Sequence, residues 1–153
     1  MTCIPDPTAA VLFDLDGTLV DTEPLHWRTA RRVLAARGLA PDAVSEPAPG
    51  WGELEFWEGV RAEFGWSASA ATLADERTAK LVALVSGRTL PPRPGAVELL
   101  AELDRRGLPR WIVSASPRPQ VEAILAAAGL GGFAGLVSGH EDVPRSKPWP
   151  DPY

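Results

Sequence analysis

The chain carries one cysteine, Cys3, in 153 residues. An internal disulfide is therefore excluded, and a reducing compartment is expected. Positive charge is in short supply: 15 Lys and Arg stand against 20 Asp and Glu, for a formal net charge of −5. No nucleic acid and no anionic membrane surface is expected as a partner. No apolar run approaches the ~20 residues of a membrane span. The start lacks the basic-then-apolar order of an export signal, because Pro5, Asp6 and Pro7 interrupt it. The expected location is cytoplasmic.

What remains is an ordinary globular composition. At 45% hydrophobic and 23% charged, the chain can bury a core, and its length fits one domain with room for an insertion. Fourteen glycines and sixteen prolines are many, but they fall between periodic segments and punctuate them.

The organising stretch is Val11-Leu12-Phe13-Asp14-Leu15-Asp16-Gly17-Thr18. An apolar run without polar alternation reads as a parallel strand buried on both faces. It ends in two carboxylates one residue apart. On a strand, i and i+2 point to the same side. Asp14 and Asp16 would leave the strand together at its C-terminal end, where ligands bind in open α/β sheets. Two acids this close need a cation or a shared proton. One could attack an electrophile and the other move a proton, with a hard ion such as Mg²⁺ holding a phosphate against them. A capping pair in a strand-to-helix turn would use the same residue types.

The periodicity sets out the rest in order. A strand is expected over 9–15. Helices follow over 23–37 (Leu25, Ala30, Val33, Leu34), 53–64 (Leu54, Trp57, Val60, Phe64) and 70–86 (Thr78, Leu81, Val82, Val85). Asp21 or Thr22 is the expected cap of the first helix. Trp51, between two glycines, is read as packing on the second helix or lining a pocket. After a proline-rich return come a helix over 95–106 (Val97, Leu100, Leu103), a strand over 110–114, a helix over 118–128 and a strand over 133–138. Strand, helix and strand at this spacing imply parallel crossovers. The expected fold is α/β: a doubly wound, Rossmann-like parallel sheet with an inserted helical unit.

Two further positions are suggestive. Ser114 stands at the end of the second strand, before Ala115-Ser116-Pro117, where a hydroxyl and backbone N–H groups make an anion site. Lys147 lies in Ser146-Lys147-Pro148-Trp149-Pro150-Asp151, a loop stiffened by prolines. Its ammonium suits phosphate oxygens and a carboxylate.

Phe13 to His26 resembles the first motif of the haloacid dehalogenase-like superfamily, within its capped phosphatase and phosphomutase branch. Ser114 and the Ser146-Lys147-Pro148-Trp149-Pro150-Asp151 run resemble the second and third motifs. The resemblance implies that Asp14 is the nucleophile that becomes phosphorylated and Asp16 the general acid/base. Members that cleave carbon–halogen bonds lack the second acid, so Asp16 implies phosphoryl transfer. Ser114 would hold the transferring group, with Ala115, Thr18 and His26 as further substrate-binding candidates. Lys147 would neutralise charge. Mg²⁺ would sit on Asp14 and Asp16. Residues 22–88 match the cap, and 1–21 with 89–153 the core. The implied activity is hydrolysis of a small phosphorylated metabolite through an aspartyl phosphate.

Two departures and one absence shape the alternatives. A β-phosphoglucomutase-like mutase would carry a basic residue where Glu53 stands and a Lys where Pro117 stands, which favours hydrolysis. The family's fourth, acidic motif has no match; Glu141 and Asp142 precede Lys147, in the wrong place. The chain would then be a fragment of a longer phosphatase, a non-catalytic remnant that binds a partner or a phosphorylated ligand, or one whose sheet a partner chain completes. Without the family's later strands, Val11 to Leu15 becomes an apolar edge.

Overall fold

A computed structural model describes residues 10–40, 42–47, 52–139 and 141–153. Cys3 and Trp51 lie outside the described residues. The chain divides into two compact units: residues up to 22 together with 85 onward form one, and 23–84 form the other.

The first unit is a three-stranded parallel sheet with two helices. Its elements are β1 (Val11–Phe13), α4 (Ala96–Arg105), β2 (Arg110–Ser114), α5 (Arg118–Ala128) and β3 (Gly135–Ser138). The strand order is β1-β2-β3. Val11 stands opposite Arg110 and Phe13 opposite Ile112; Ile112 in turn meets Leu136, and Ser114 meets Ser138. One face of this register is buried. Phe13, Ile112 and Ser114 lie on it, as does Arg110, whose guanidinium donates to the carbonyls of Leu100, Gly131 and Gly132. A buried guanidinium is tolerable because those acceptors and Asp104 replace its water.

The other face differs from the sequence expectation. Leu12 is 44% exposed and its register partner Trp111 37%. The apolar run was read as a strand buried on both faces; it sits at the edge of the sheet, as the missing later strands implied, and is paired only with β2 among the described residues. The strand is also shorter than the 9–15 expected, because the chain turns at Asp14 rather than continuing to Leu15.

The second unit is helical: α1 (Glu23–Ala35), α2 (Glu53–Phe64) and α3 (Ala70–Val85), the last reaching the boundary. Its core joins Val33, Leu34, Phe56, Trp57, Val60 and Leu73. Trp57 is fully buried, and its ring lies edge-on to Phe56 at 4.9 Å. Two expected stripes hold in part. Leu54 is 48% exposed while Phe56 is buried. On α3 the expected Leu81 and Val85 are buried, while Thr78 and Val82 are half-buried and Leu73, Ala74, Arg77 and Leu84 complete the buried set. An arginine on the inner face is what hydropathy periodicity cannot anticipate. In the first unit, Val97 likewise points outward, since Ala96, Leu100 and Leu103 form the i, i+4, i+7 stripe of α4.

Candidate active site

The loop after β1 is built by one carbonyl and one glycine. The N–H groups of Thr18, Leu19 and Val20 all donate to the Leu15 carbonyl, at 3.2, 3.0 and 3.2 Å. Gly17 takes φ 77°, which favours glycine, and its N–H closes on the Val20 carbonyl at 2.8 Å. Leu15, fully buried, anchors the loop between the two aspartates. Asp14 and Asp16 are thus held by a rigid turn beyond the strand, not by the strand itself.

Each carboxylate has its own partners. Asp14 Oδ1 accepts from Lys147 Nζ at 2.6 Å, and Oδ2 accepts from Thr18 Oγ1 at 3.0 Å. The same ammonium donates to the Val113 carbonyl at 2.7 Å, one residue before Ser114. Asp16 faces hydroxyls: Thr22 Oγ1 donates to Oδ1 at 2.6 Å, Ser116 Oγ to Oδ2 at 2.8 Å, and Ser114 Oγ to Oδ2 at a long 3.4 Å. Asp14, Asp16, Thr18, Ser114 and Lys147 therefore lie in one connected cluster. Ala115 follows on the exposed end of β2.

Lys147 is aimed by its loop. Arg145 forms a two-pronged pair with Asp151 at 2.8 and 3.0 Å and lies 4.6 Å over the Trp149 ring. At Gly139 the chain passes against Ser146 Oγ and lies 3.3 Å from the Ala115 Cα, measured from where a Cβ would stand. Any side chain there would press the Lys147 loop away from the end of β2.

Four residues have roles here that the sequence reading did not assign. Thr22, read with Asp21 as a candidate cap of α1, donates its hydroxyl proton to Asp16, and the residue is fully buried. Ser116 donates to Asp16 while accepting from Gln120 Nε2 at 2.8 Å. Ser138 Oγ donates to the Ser116 carbonyl at 2.9 Å. Gln120 and Ser138 are both fully buried. A wholly buried glutamine on an apolar helix face is costly unless its amide has work there, and only that could have flagged it.

His26 belongs to the helical unit. Its Nδ1 lies 2.6 Å from Arg77 Nη1. Arg77 also grips Glu53, through Nε to Oε1 and through Nη2 to Oε2 at 2.6 Å. Glu53 is therefore committed to a buried arginine of its own unit. Since the arginine is the donor, Nδ1 of His26 is the acceptor, which places the ring proton of the neutral form on Nε2.

Asp142 and Glu141 serve the framework. Asp142 accepts from the Ser138 N–H at 2.7 Å and from Arg118 at 2.6 Å, and these hold its carboxyl below the usual carboxylate range, the backbone N–H first. Glu141 accepts from the Arg118 N–H at the start of α5. Among the described residues, no group of three or more His, Cys, Asp or Glu is gathered to hold a metal. Mg²⁺ takes hard oxygens, usually one or two carboxylates completed by water and phosphate oxygens. Asp14 and Asp16 fit that donor chemistry and would be the residues to hold it.

A parallel sheet whose strand ends carry an aspartate paired with a lysine, beside a second aspartate held by hydroxyls, defines an α/β protein with its polar cluster at the C-terminal ends of the strands. The chain belongs to the haloacid dehalogenase-like hydrolase family, whose model matches residues 8–153. It is 32% identical over 155 residues to a phosphoglycolate phosphatase of Yersinia pseudotuberculosis, covering 93% of this chain and 63% of that one. It is 36% identical over 149 residues to hexitol phosphatase A of Escherichia coli, covering 93% and 64%. The chain thus spans less than two thirds of the length of these relatives. Among solved structures, CbbY from Rhodobacter sphaeroides in complex with phosphate superposes with a TM-score of 0.72 at 30% identity, over 94% of this chain and 68% of that one.

Proposed function

We propose that the protein is a phosphatase of small phosphorylated metabolites, working through an aspartyl phosphate on Asp14. The observation that carries this reading is the 2.6 Å contact between Lys147 Nζ and Asp14 Oδ1. The ammonium stands beside the carboxylate that would attack, where equatorial phosphoryl oxygens gather charge.

Two steps follow. A carboxylate oxygen of Asp14 forms a bond to phosphorus as the bond to the leaving oxygen breaks, and Asp16 in its acid form gives that oxygen a proton. A water then attacks phosphorus, Asp16 takes its proton, and the bond to Asp14 breaks to release inorganic phosphate. Thr22 and Ser116 hold Asp16 between these steps. Ser114 and the N–H groups at the start of the segment leading into α5 receive the phosphoryl oxygens. Mg²⁺, when bound to Asp14 and Asp16, supplies charge neutralisation to the phosphate. Residues 22–88, which contain the helical unit, correspond to the family's cap, and the enzyme works in the cytoplasm.

The pairing of Glu53 with Arg77 and the proline at 117 favour hydrolysis over a mutase, since neither position offers a free cation for a second phosphate. The test is phosphate release with Mg²⁺ from 2-phosphoglycolate, hexitol phosphates and p-nitrophenyl phosphate. Asp14→Asn is expected to lower release by at least about 10³-fold with the circular dichroism unchanged. Isomerised sugar phosphate without net release would select the mutase. A folded protein with no turnover would leave a phosphate-binding remnant.

A further inference from the structure

The helical unit carries a cluster of arginines that the proposed chemistry does not use. Arg28, Arg31 and Arg32 are exposed on α1 and line one cleft of about 450 Å³ with Trp27, Glu23 and Glu46. None of the three has a carboxylate within ion-pair distance among the described residues. That is unusual in this chain. Arg37, Arg61, Arg77, Arg93, Arg105, Arg106, Arg110, Arg118 and Arg145 each have one. Of the remaining arginines, only Arg88 shares their state. An acidic protein has carboxylates to spare, yet three guanidiniums at i, i+3 and i+4 repel one another without a counter-charge.

The cleft also shows preorganisation. The Arg31 guanidinium rests 5.2 Å over the Trp27 ring. A cation–π contact fixes that head group and leaves its in-plane N–H donors unspent. A braced, unpaired guanidinium beside two more is the arrangement that recognises a tetrahedral dianion through paired N–H donors, and little rotamer freedom is lost on binding. Glu23 and Glu46 on the rim leave a small positive balance, which selects a compact doubly charged group over a long polyanion.

We propose that this cleft is a second anion site, which binds the terminal phosphate of a small phosphomonoester or pyrophosphate on Arg28, Arg31 and Arg32. It lies wholly within the helical unit and does not depend on the activity assigned to Asp14.

Calorimetry of the full chain with inorganic pyrophosphate tests it, run on Asp14→Asn so that no turnover occurs. Two binding events are expected, one of them weakened at least about tenfold by the triple variant Arg28→Gln, Arg31→Gln and Arg32→Gln. The same three positions changed to lysine keep the charge but lose the paired donors. The site predicts a loss in that variant too, and unchanged affinity there would reduce the cleft to diffuse charge and overturn the proposal. A single event indifferent to all three arginines would overturn it as well. The substitutions are on an exposed helix face, and an unchanged melting temperature shows that folding is not what was altered. If the arginine-dependent event persists while no substrate is hydrolysed, only the phosphatase reading falls.

Discussion

Lys147 reaches Asp14 across 133 residues of sequence, and the contact is worth most where charge accumulates. Lys147→Met is expected to lower phosphate release by about 10² or more while KM changes less, since a developing negative charge loses its cation. Gln120 and Ser116 make a subtler case. The Gln120 amide occupies a lone pair of Ser116 Oγ, which leaves the hydroxyl proton to Asp16. Ser116→Ala and Gln120→Leu should each slow release by about tenfold, and the double variant should be no slower than the worse single one. Steady-state rates of the three check this. Asp14, Asp16, Ser114 and Lys147 were legible in the sequence because short local runs carry them. Ser116 and Gln120 were not: the Ser116–Asp16 bond joins positions 100 residues apart, and no spacing rule links them.

Elements were legible where local signals agreed. The helices at 53–64 and 118–128 and the strand at 110–114 stand where periodicity and the following glycines placed them. Which side of a helix is buried proved harder. On α3 the Arg77–Glu53 pair draws a charged residue inward, and a purely apolar stripe misses it. The helical unit rests on Trp57: Trp57→Ala should cost about 3–5 kcal/mol, read as a lower melting temperature of that unit. Arg37 and Glu76 tie the turn after α1 to α3 by two bonds of 2.6 and 2.8 Å. The hydrogen bond from Arg37 holds the Glu76 carboxyl below its ordinary value of 4.5. A carboxyl lowered on folding stabilises above that ordinary value, and its contribution is lost as pH falls through the lowered one. Melting temperatures from pH 7 to 3 should therefore fall less steeply for Glu76→Gln than for the parent. Because the pair is partly exposed, salt should narrow the difference.

For the molecule as a whole, the edge position of β1 has a cost. Leu12, on a strand with one partner among the described residues, forms an exposed apolar pair with Trp111 of β2. Such an edge invites pairing with a second copy. The 153-residue chain should show concentration-dependent association in sedimentation, and Leu12→Lys should reduce it without changing the circular dichroism. The edge was legible in the sequence once the strand order was anticipated. The exposure of Trp111 was not, since it follows from the register with β1 and not from its own neighbours.

The separation of Asp14 from its lysine also governs the timing of maturation. A ribosome adding about 5–20 residues per second makes Asp14 roughly 7–27 s before Lys147. The helical unit, complete within 23–84, can fold during that wait. The carboxylate cluster thus becomes competent after the helical unit, and release of the polypeptide before codon 147 would yield a folded insertion whose Asp14 never meets its lysine.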